Sequence, residues 1–419
     1  MDACPACGRA LKAGRAGPSV APMAMGWAMT GKRSIFEEVG AGATAPGAPT
    51  GGGIDARPRR AGARRGIRLW LIVLFLLVVA MIALGGLTRL TDSGLSITEW
   101  RPITGALPPL SAEAWAAEFA LYRAIPEYQL QNRGMSLAEF KVIYWWEWGH
   151  RQLGRVIGLV WAVGLAGFAL ARQIPPGWTG RLLLLGALGG AQGAIGWWMV
   201  ASGLGGERVD VASYRLAVHL GLAFVILGLL AWYVFLLSRS EAALMIARRA
   251  REGRLSGLST GLMHLTFVQI LLGALVAGID AGRAFPTWPL MNGQFFPADA
   301  FHVPDGQGGS LAVWHAFFEN PGLVQFMHRM AGYLLFGFGI FVWLRARGSA
   351  HRATRMAFDA VMAMLVAQMV LGIVAVLTVA AMPVAITHQI GAVILWVLIL
   401  RARYLAQYPV AGSIREGTA

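Results

Sequence analysis

Apolar residues run almost unbroken through 67–88, 152–171, 181–201, 215–237, 258–278, 326–345, 357–380 and 385–402, with polar stretches between them. Each run is close to the roughly 20 residues with which a helix crosses a ~30 Å hydrocarbon core. The pattern predicts an all-α, polytopic membrane protein with eight transmembrane helices. A long polar stretch precedes the first run, which therefore reads as a retained span and not as a cleaved signal. Composition points the same way: 56% of the residues are apolar and 14% are charged, more apolar surface than a water-soluble domain could cover.

A formal net charge of +15 invites a nucleic-acid partner, but its distribution argues against one. Arg57, Arg59, Arg60, Arg64, Arg65 and Arg68 stand before the first run, and Arg172 and Arg181 between the second and third. Arg248, Arg249, Arg251 and Arg254 follow the fourth, Arg345, Arg347, Arg352 and Arg355 separate the sixth from the seventh, and Arg401 and Arg403 close the eighth. The other loops are poorer in basic residues and richer in acids, the first holding Asp92, Glu99, Glu113, Glu118, Glu127, Glu139 and Glu147. Alternate basic loops are the positive-inside pattern, which places both termini in the cytoplasm. The charge orients the chain in a lipid bilayer and implies no nucleic acid.

Residues 1–65 are rich in Gly, Ala and Pro and read as a disordered cytoplasmic tail. Its Cys4 and Cys7, the only cysteines, cannot close a four-ligand zinc site alone. The remainder divides into a first half over 66–240, a cytoplasmic linker over 241–255, a second half over 256–404 and a short tail over 405–419.

The halves are related in sequence. Laid without a gap, Gly85 meets Gly273, Leu87 meets Leu275, Asp92 meets Asp280, Gly94 meets Gly282, Trp100 meets Trp288 and Gly105 meets Gly293. His150-Arg-Gln-Leu-Gly154 parallels His328-Arg-Met-Ala-Gly332, Gln192 and Gly196 match Gln368 and Gly372, and His219 matches His388. The chain reads as two fused, parallel-repeated four-helix bundles, each with a site between facing helices.

His150 and His219 in the first half and His328 and His388 in the second lie near the outward ends of even-numbered spans. Ionisable side chains at such depth are costly and usually functional. A bare zinc or copper ion would recruit further protein ligands, and none stands beside His328 and His388. A haem needs only two axial imidazoles. Gly154 and Gly332, one turn on, leave room for a flat macrocycle or serve plain helix packing. Arg151 and Arg329 suit haem propionates, or else reach for lipid headgroups. His264, His302, His315 and His351 have no matched partner and carry no assigned chemistry.

The differences between the halves point to a division of labour. Glu147, Arg155 and Arg215 in the first half stand where the second has Gln325, Tyr333 and Val384. Glu147 is the only carboxylate one turn from a histidine of the set. It is a candidate general acid or base, or a salt-bridge partner of Arg151. The first site looks like the place of chemistry and the second like an electron-transfer haem.

Together, Gly85-Gly-Leu-Thr-Arg-Leu-Thr-Asp-Ser-Gly-Leu-Ser, Ile97-Thr-Glu-Trp-Arg-Pro-Ile-Thr-Gly, Glu147-Trp-Gly-His-Arg-Gln-Leu-Gly-Arg, Phe285-Pro-Thr-Trp-Pro-Leu-Met-Asn-Gly and Gln325-Phe-Met-His-Arg-Met-Ala-Gly-Tyr resemble the haem A synthase family of cytochrome oxidase biogenesis, over about residues 67–402. The first outward loop lacks the cysteine pair of some bacterial members, which suggests the proteobacterial and mitochondrial subgroup. The resemblance implies an oxidoreductase of the cell inner membrane that oxidises a ring methyl of haem O to a formyl group. It implies a haem b on His328 and His388, and a substrate haem bracketed by His150 and His219 with Glu147 beside them. It also implies haem O synthase and an electron donor as partners; wide Gly- and Ala-rich faces would suit a homo-oligomer. A dihaem cytochrome b-type subunit of a quinol or ferric reductase is the alternative, and a transporter or haem-export channel a third reading.

Overall fold

The computed structural model describes residues 56–206, 208–304 and 308–410, with side chains from residue 62 onward. Among the described residues every regular element is helical. Eight helices are long and apolar enough to cross a membrane: α1 Ala56–Leu90, α2 Leu137–Leu170, α3 Thr179–Val200, α4 Ser213–Leu237, α5 Gly253–Gly278, α6 Pro321–Arg347, α7 Arg352–Leu377 and α8 Met382–Gln407.

Three boundaries differ from the expected ones. α1 begins at Ala56, so residues 56–65 are helical and not a tail. Ala and Arg are strong helix formers, and Pro58 falls in the first turn, where its missing N–H costs no hydrogen bond. The rest of the expected tail, with Cys4 and Cys7, lies outside the described residues, as does 411–419. α2 starts at Leu137, well before its apolar run, because Ser136 and Glu139 form a capping box: Glu139 N donates to Ser136 Oγ at 3.3 Å and Ser136 N to Glu139 Oε2 at 2.8 Å. His150 therefore stands inside a helix. The expected linker over 241–255 holds the helix Glu241–Arg249, capped at Ser240 and closed by Arg248 and Arg249 at its carbonyl end.

Helices α1 to α4 pack in sequence order and α4 returns to α1; α5 to α8 do the same, with α8 against α5. The two rings meet through α4 on α5, α4 on α8 and α1 on α8. One apolar core therefore runs from Leu71 and Leu74 on α1 through Phe224 and Leu227 on α4 to Trp396 on α8. Water drives none of this association inside lipid, where close approach and interhelical hydrogen bonds carry it. Gly164 lies directly under the Trp70 indole and Gly186 under that of Trp161, each too close for any Cβ. Trp70 Nε1 thereby reaches Val160 O at 3.0 Å, Trp161 Nε1 reaches Leu182 O at 3.0 Å, and across the rings Trp396 Nε1 reaches Phe224 O at 3.1 Å. Leu69, Leu76, Leu159, Val163 and Val370 stay exposed on the outer faces, where lipid would cover them.

Past α1 and α5 the chain turns at Asp92 and Asp280, both left-handed with φ of 46° and 51°, a conformation Asp tolerates better than most residues. Arg89 joins these two turns. Its guanidinium meets Asp92 at 2.7 Å and Asp280 at 2.8 Å, with Asp210 at 3.6 Å, and its Nε donates to Ala277 O at 3.0 Å. One cation thus ties the rings together at the end where the four paired histidines lie.

Candidate functional site

His150, His219, His328 and His388 stand toward the N-terminal ends of α2, α4, α6 and α8. Each ring rests on a glycine near the C-terminal end of the preceding helix. A Cβ added to Gly85, Gly196, Gly273 or Gly372 would come within 2.8, 2.8, 3.1 and 3.3 Å of Cε1 of His150, His219, His328 and His388 in turn. The four glycines are two matched pairs of the sequence repeat. Gly154 and Gly332 lie elsewhere: a Cβ on them would touch Met81 and Gln269. His150 and His219 lie within electrostatic reach of one another, as do His328 and His388.

Glutamines hold three of the four histidine-bearing turns. Gln192 Nε2 donates to His219 O at 3.0 Å, Gln269 Nε2 to His328 O at 3.0 Å and Gln368 Nε2 to His388 O at 3.1 Å. Gln192 and Gln269 also lie 3.2 Å from Nδ1 of their imidazoles. At His150 the position matching Gln269 is Met81, and His150 Nδ1 is buried without a partner, as is His388 Nδ1. Among the described residues no three His, Cys, Asp or Glu side chains converge on one point, so a bare ion would be short of ligands. Paired imidazoles with spare ring nitrogens fit a group that brings its own equatorial donors.

Glu147 is buried at 4% exposure, and both carboxylate oxygens are engaged. Oε1 accepts Arg151 Nε at 3.0 Å and Nη2 at 2.6 Å; Oε2 accepts Ser96 Oγ at 2.8 Å and Ile97 N at 2.7 Å. The salt bridge is therefore present, and it points the carboxylate at the strap over residues 93–97. Arg151 is spent on this strap: its Nη1 donates to Glu99 O at 3.1 Å and its Nη2 to Ile97 O at 2.7 Å.

The second half repeats the scaffold and changes the chemistry. Arg329 Nη2 donates to Phe285 O at 2.9 Å, the position matching Ile97, and to Gln325 Oε1 at 2.9 Å. Gln325 Nε2 turns to donate to Ala281 O at 2.8 Å, where a carboxylate could only accept. Arg329, 8% exposed, keeps Nε and Nη1 buried without partners. It lines a cavity of about 290 Å³ walled by Trp288, Pro289, Phe295, Phe326 and Met330. A buried guanidinium with two idle nitrogens beside an apolar cavity suits the carboxylate of a large flat ligand.

Other residues singled out in the sequence hold the loops. Arg155 donates to Pro102 O and Arg101 O, both at 2.9 Å, and Arg215 donates to Trp198 O at 2.7 Å and covers the Trp198 ring. Tyr333 OH accepts Trp288 Nε1 at 2.8 Å. The remaining histidines sit outside both clusters.

A family model described as "Cytochrome oxidase assembly protein" matches residues 68–400. A protein named "Heme A synthase" from Cereibacter sphaeroides is 65% identical over 389 residues, 92% of this chain and 99% of that one. The protein of the same name from Ruegeria sp. is 64% identical, covering 91% of this chain and 99% of its own, and that from Dinoroseobacter shibae 64%, covering 93% and 100%. The chain belongs to the haem A synthase family. Membership covers both rings and all four paired histidines, so the two clusters are read together.

Proposed function

We propose that the protein is a haem A synthase that oxidises a ring methyl of haem O to a formyl group, with the chemistry in the first half (66–240) and a resident haem b in the second (256–404). The observation that carries this division is the matched pair Glu147 and Gln325. On one scaffold, the first half holds a carboxylate and the second a neutral amide, with an arginine left free for a ligand carboxylate.

His328 and His388 would hold haem b, which supplies a one-electron carrier when bound. Arg329 Nε and Nη1 would meet a propionate. Gln269 and Gln368 fix the histidine-bearing turns, and Gln269 also meets the His328 ring, the usual task of groups that support axial ligands. His150 and His219 would bracket the iron of haem O. Glu147, held by Ser96, Ile97 and Arg151, would take a proton released as the methyl carbon loses hydrogen. The paired histidines would lie on the outward side of the cell inner membrane, with both termini cytoplasmic. Haem O synthase would hand over a substrate too apolar for water, and an electron donor or acceptor would be a separate partner; the outer faces allow a homo-oligomer.

Paired imidazoles in both halves are also what a dihaem electron-transfer subunit would carry, and one experiment separates the two. Membranes supplied with haem O and containing the protein should yield haem A on extraction and chromatography, and membranes without it should not. Unchanged haem O together with reversible reduction of bound haem would identify an electron-transfer subunit.

A further inference from the structure

Glu127 is a buried acid that this mechanism does not use. It sits in the short helix Pro126–Leu130 of the first loop and is 3% exposed. Oε1 accepts Tyr122 OH at 3.2 Å and Asn132 Nδ2 at 3.3 Å, and Oε2 is buried with no partner. The apolar cluster around it joins Tyr122, Ile125, Phe140 and Tyr144 to Leu95 and Ile97, which flank Ser96 in the strap; Ser96 Oγ and Ile97 N hold Glu147. The loop cap thus encloses two carboxyl groups. Glu147 has four donors, whereas Glu127 has an idle buried oxygen, a setting that favours the neutral form of Glu127.

We infer that Glu127 is the proton partner of Glu147, a neutral acid that exchanges protons with it inside the cap and with the loop surface outside. The inference rests on the first half being the oxidation site. Oxidation of the methyl group with addition of water releases a proton for every electron, so a proton taken up by Glu147 must leave before the next arrives. In the exchange, Glu127 first loses its O–H proton to the loop surface. The O–H bond on Glu147 then breaks as one forms on Glu127, and no electrons move. Glu127 acts through Glu147 and is a positioning and relay residue, not a catalytic one.

The surroundings fix the direction of its titration. Burial pushes the Glu127 carboxyl up to about 8; the Tyr122 hydrogen bond opposes this, and the charges of Glu147, Asp210 and Asp92 add to it. Arg151 holds Glu147, and Arg89 holds Asp92 and Asp210. Burial likewise keeps the Tyr122 hydroxyl protonated as the donor. Below about 8 Glu127 is therefore neutral, and above it Glu127 is the ionised acceptor that the exchange needs.

Infrared pH-difference spectra of the purified protein test this without substrate. The wild type should show a protonated-carboxyl band that is lost between neutral and about pH 9. Glu127→Gln should lack it, Tyr122→Phe should carry it to higher pH, and Glu147→Gln, by removing a neighbouring charge, should move its loss to lower pH. Haem A formation should rise with pH through about 8 in the wild type, as Glu127 becomes the ionised acceptor. Glu127→Gln should run several-fold slower at neutral pH without that rise, and Glu127→Asp should restore it. A band absent from the wild type, unchanged in Glu127→Gln or unmoved by Glu147→Gln overturns the inference, as does a rise that survives Glu127→Gln. Failure of every form to make haem A, with the band behaving as stated, would count against the haem A synthase reading and not against the carboxyl pair.

Discussion

Glu147→Gln is expected to lower haem A output by on the order of 10²-fold or more, the range typical of losing a general acid or base, while the second-half haem spectrum stays as it was. The carboxylate accepts from Arg151 on one oxygen and from Ser96 and Ile97 on the other. An amide supplies one acceptor and one donor, so its NH₂ would face either the guanidinium or the Ile97 N–H. Gln325 shows that this helix position tolerates an amide, although there Ala281 O receives the NH₂. The substitution should therefore loosen the strap without unfolding α2. If Glu147 served only to pair with Arg151, haem A would fall a few-fold. If it moves protons, output collapses and the hydroxymethyl alcohol of haem O accumulates, because the second oxidation needs the same base. Chromatography of haem O, the alcohol and haem A from cells carrying the variant separates these outcomes. Near-normal haem A would make Glu147 a structural residue.

Loss of an axial imidazole should have the second large effect. On the proposed assignment His388→Ala or His328→Ala would remove one of two iron ligands, and neither cluster offers a third His, Cys, Asp or Glu to replace it among the described residues. The low-spin b-type spectrum should be lost or strongly weakened in the purified variant. Gly372 and Gly273 back these rings at contact distance, so the truncation leaves a hole beside a residue that has no side chain to fill it. An unaltered bis-imidazole spectrum in His388→Ala would show that the pair does not ligate haem.

Eight spans and the two histidine pairs were legible because an apolar run of bilayer length and a repeated histidine are local signals. The glycines behind the imidazoles were visible as repeat identities at Gly85 and Gly273 and at Gly196 and Gly372, but their task was not, since it depends on which helix faces which. Gly154 and Gly332, one turn from the histidines, drew attention by proximity in sequence and instead adjoin Met81 and Gln269. Ser96 meets Glu147 from far along the chain, a contact no spacing announces. The early starts of α1 and α2 were hidden because arginines and a capping box extend a helix beyond its apolar run. Arg151 and Arg329 looked alike in sequence; only the carboxylate at Glu147 and the amide at Gln325 leave one guanidinium engaged and the other with idle nitrogens.

The division of labour between the halves is tested most directly by quantifying the haems extracted from purified His150→Ala, His219→Ala, His328→Ala and His388→Ala beside the wild type. The account predicts that haem b disappears only from the two second-half variants, and that haem O and haem A are depleted only in the two first-half variants. Loss of haem b from His150→Ala or His219→Ala, with haem b retained in His328→Ala and His388→Ala, would contradict it.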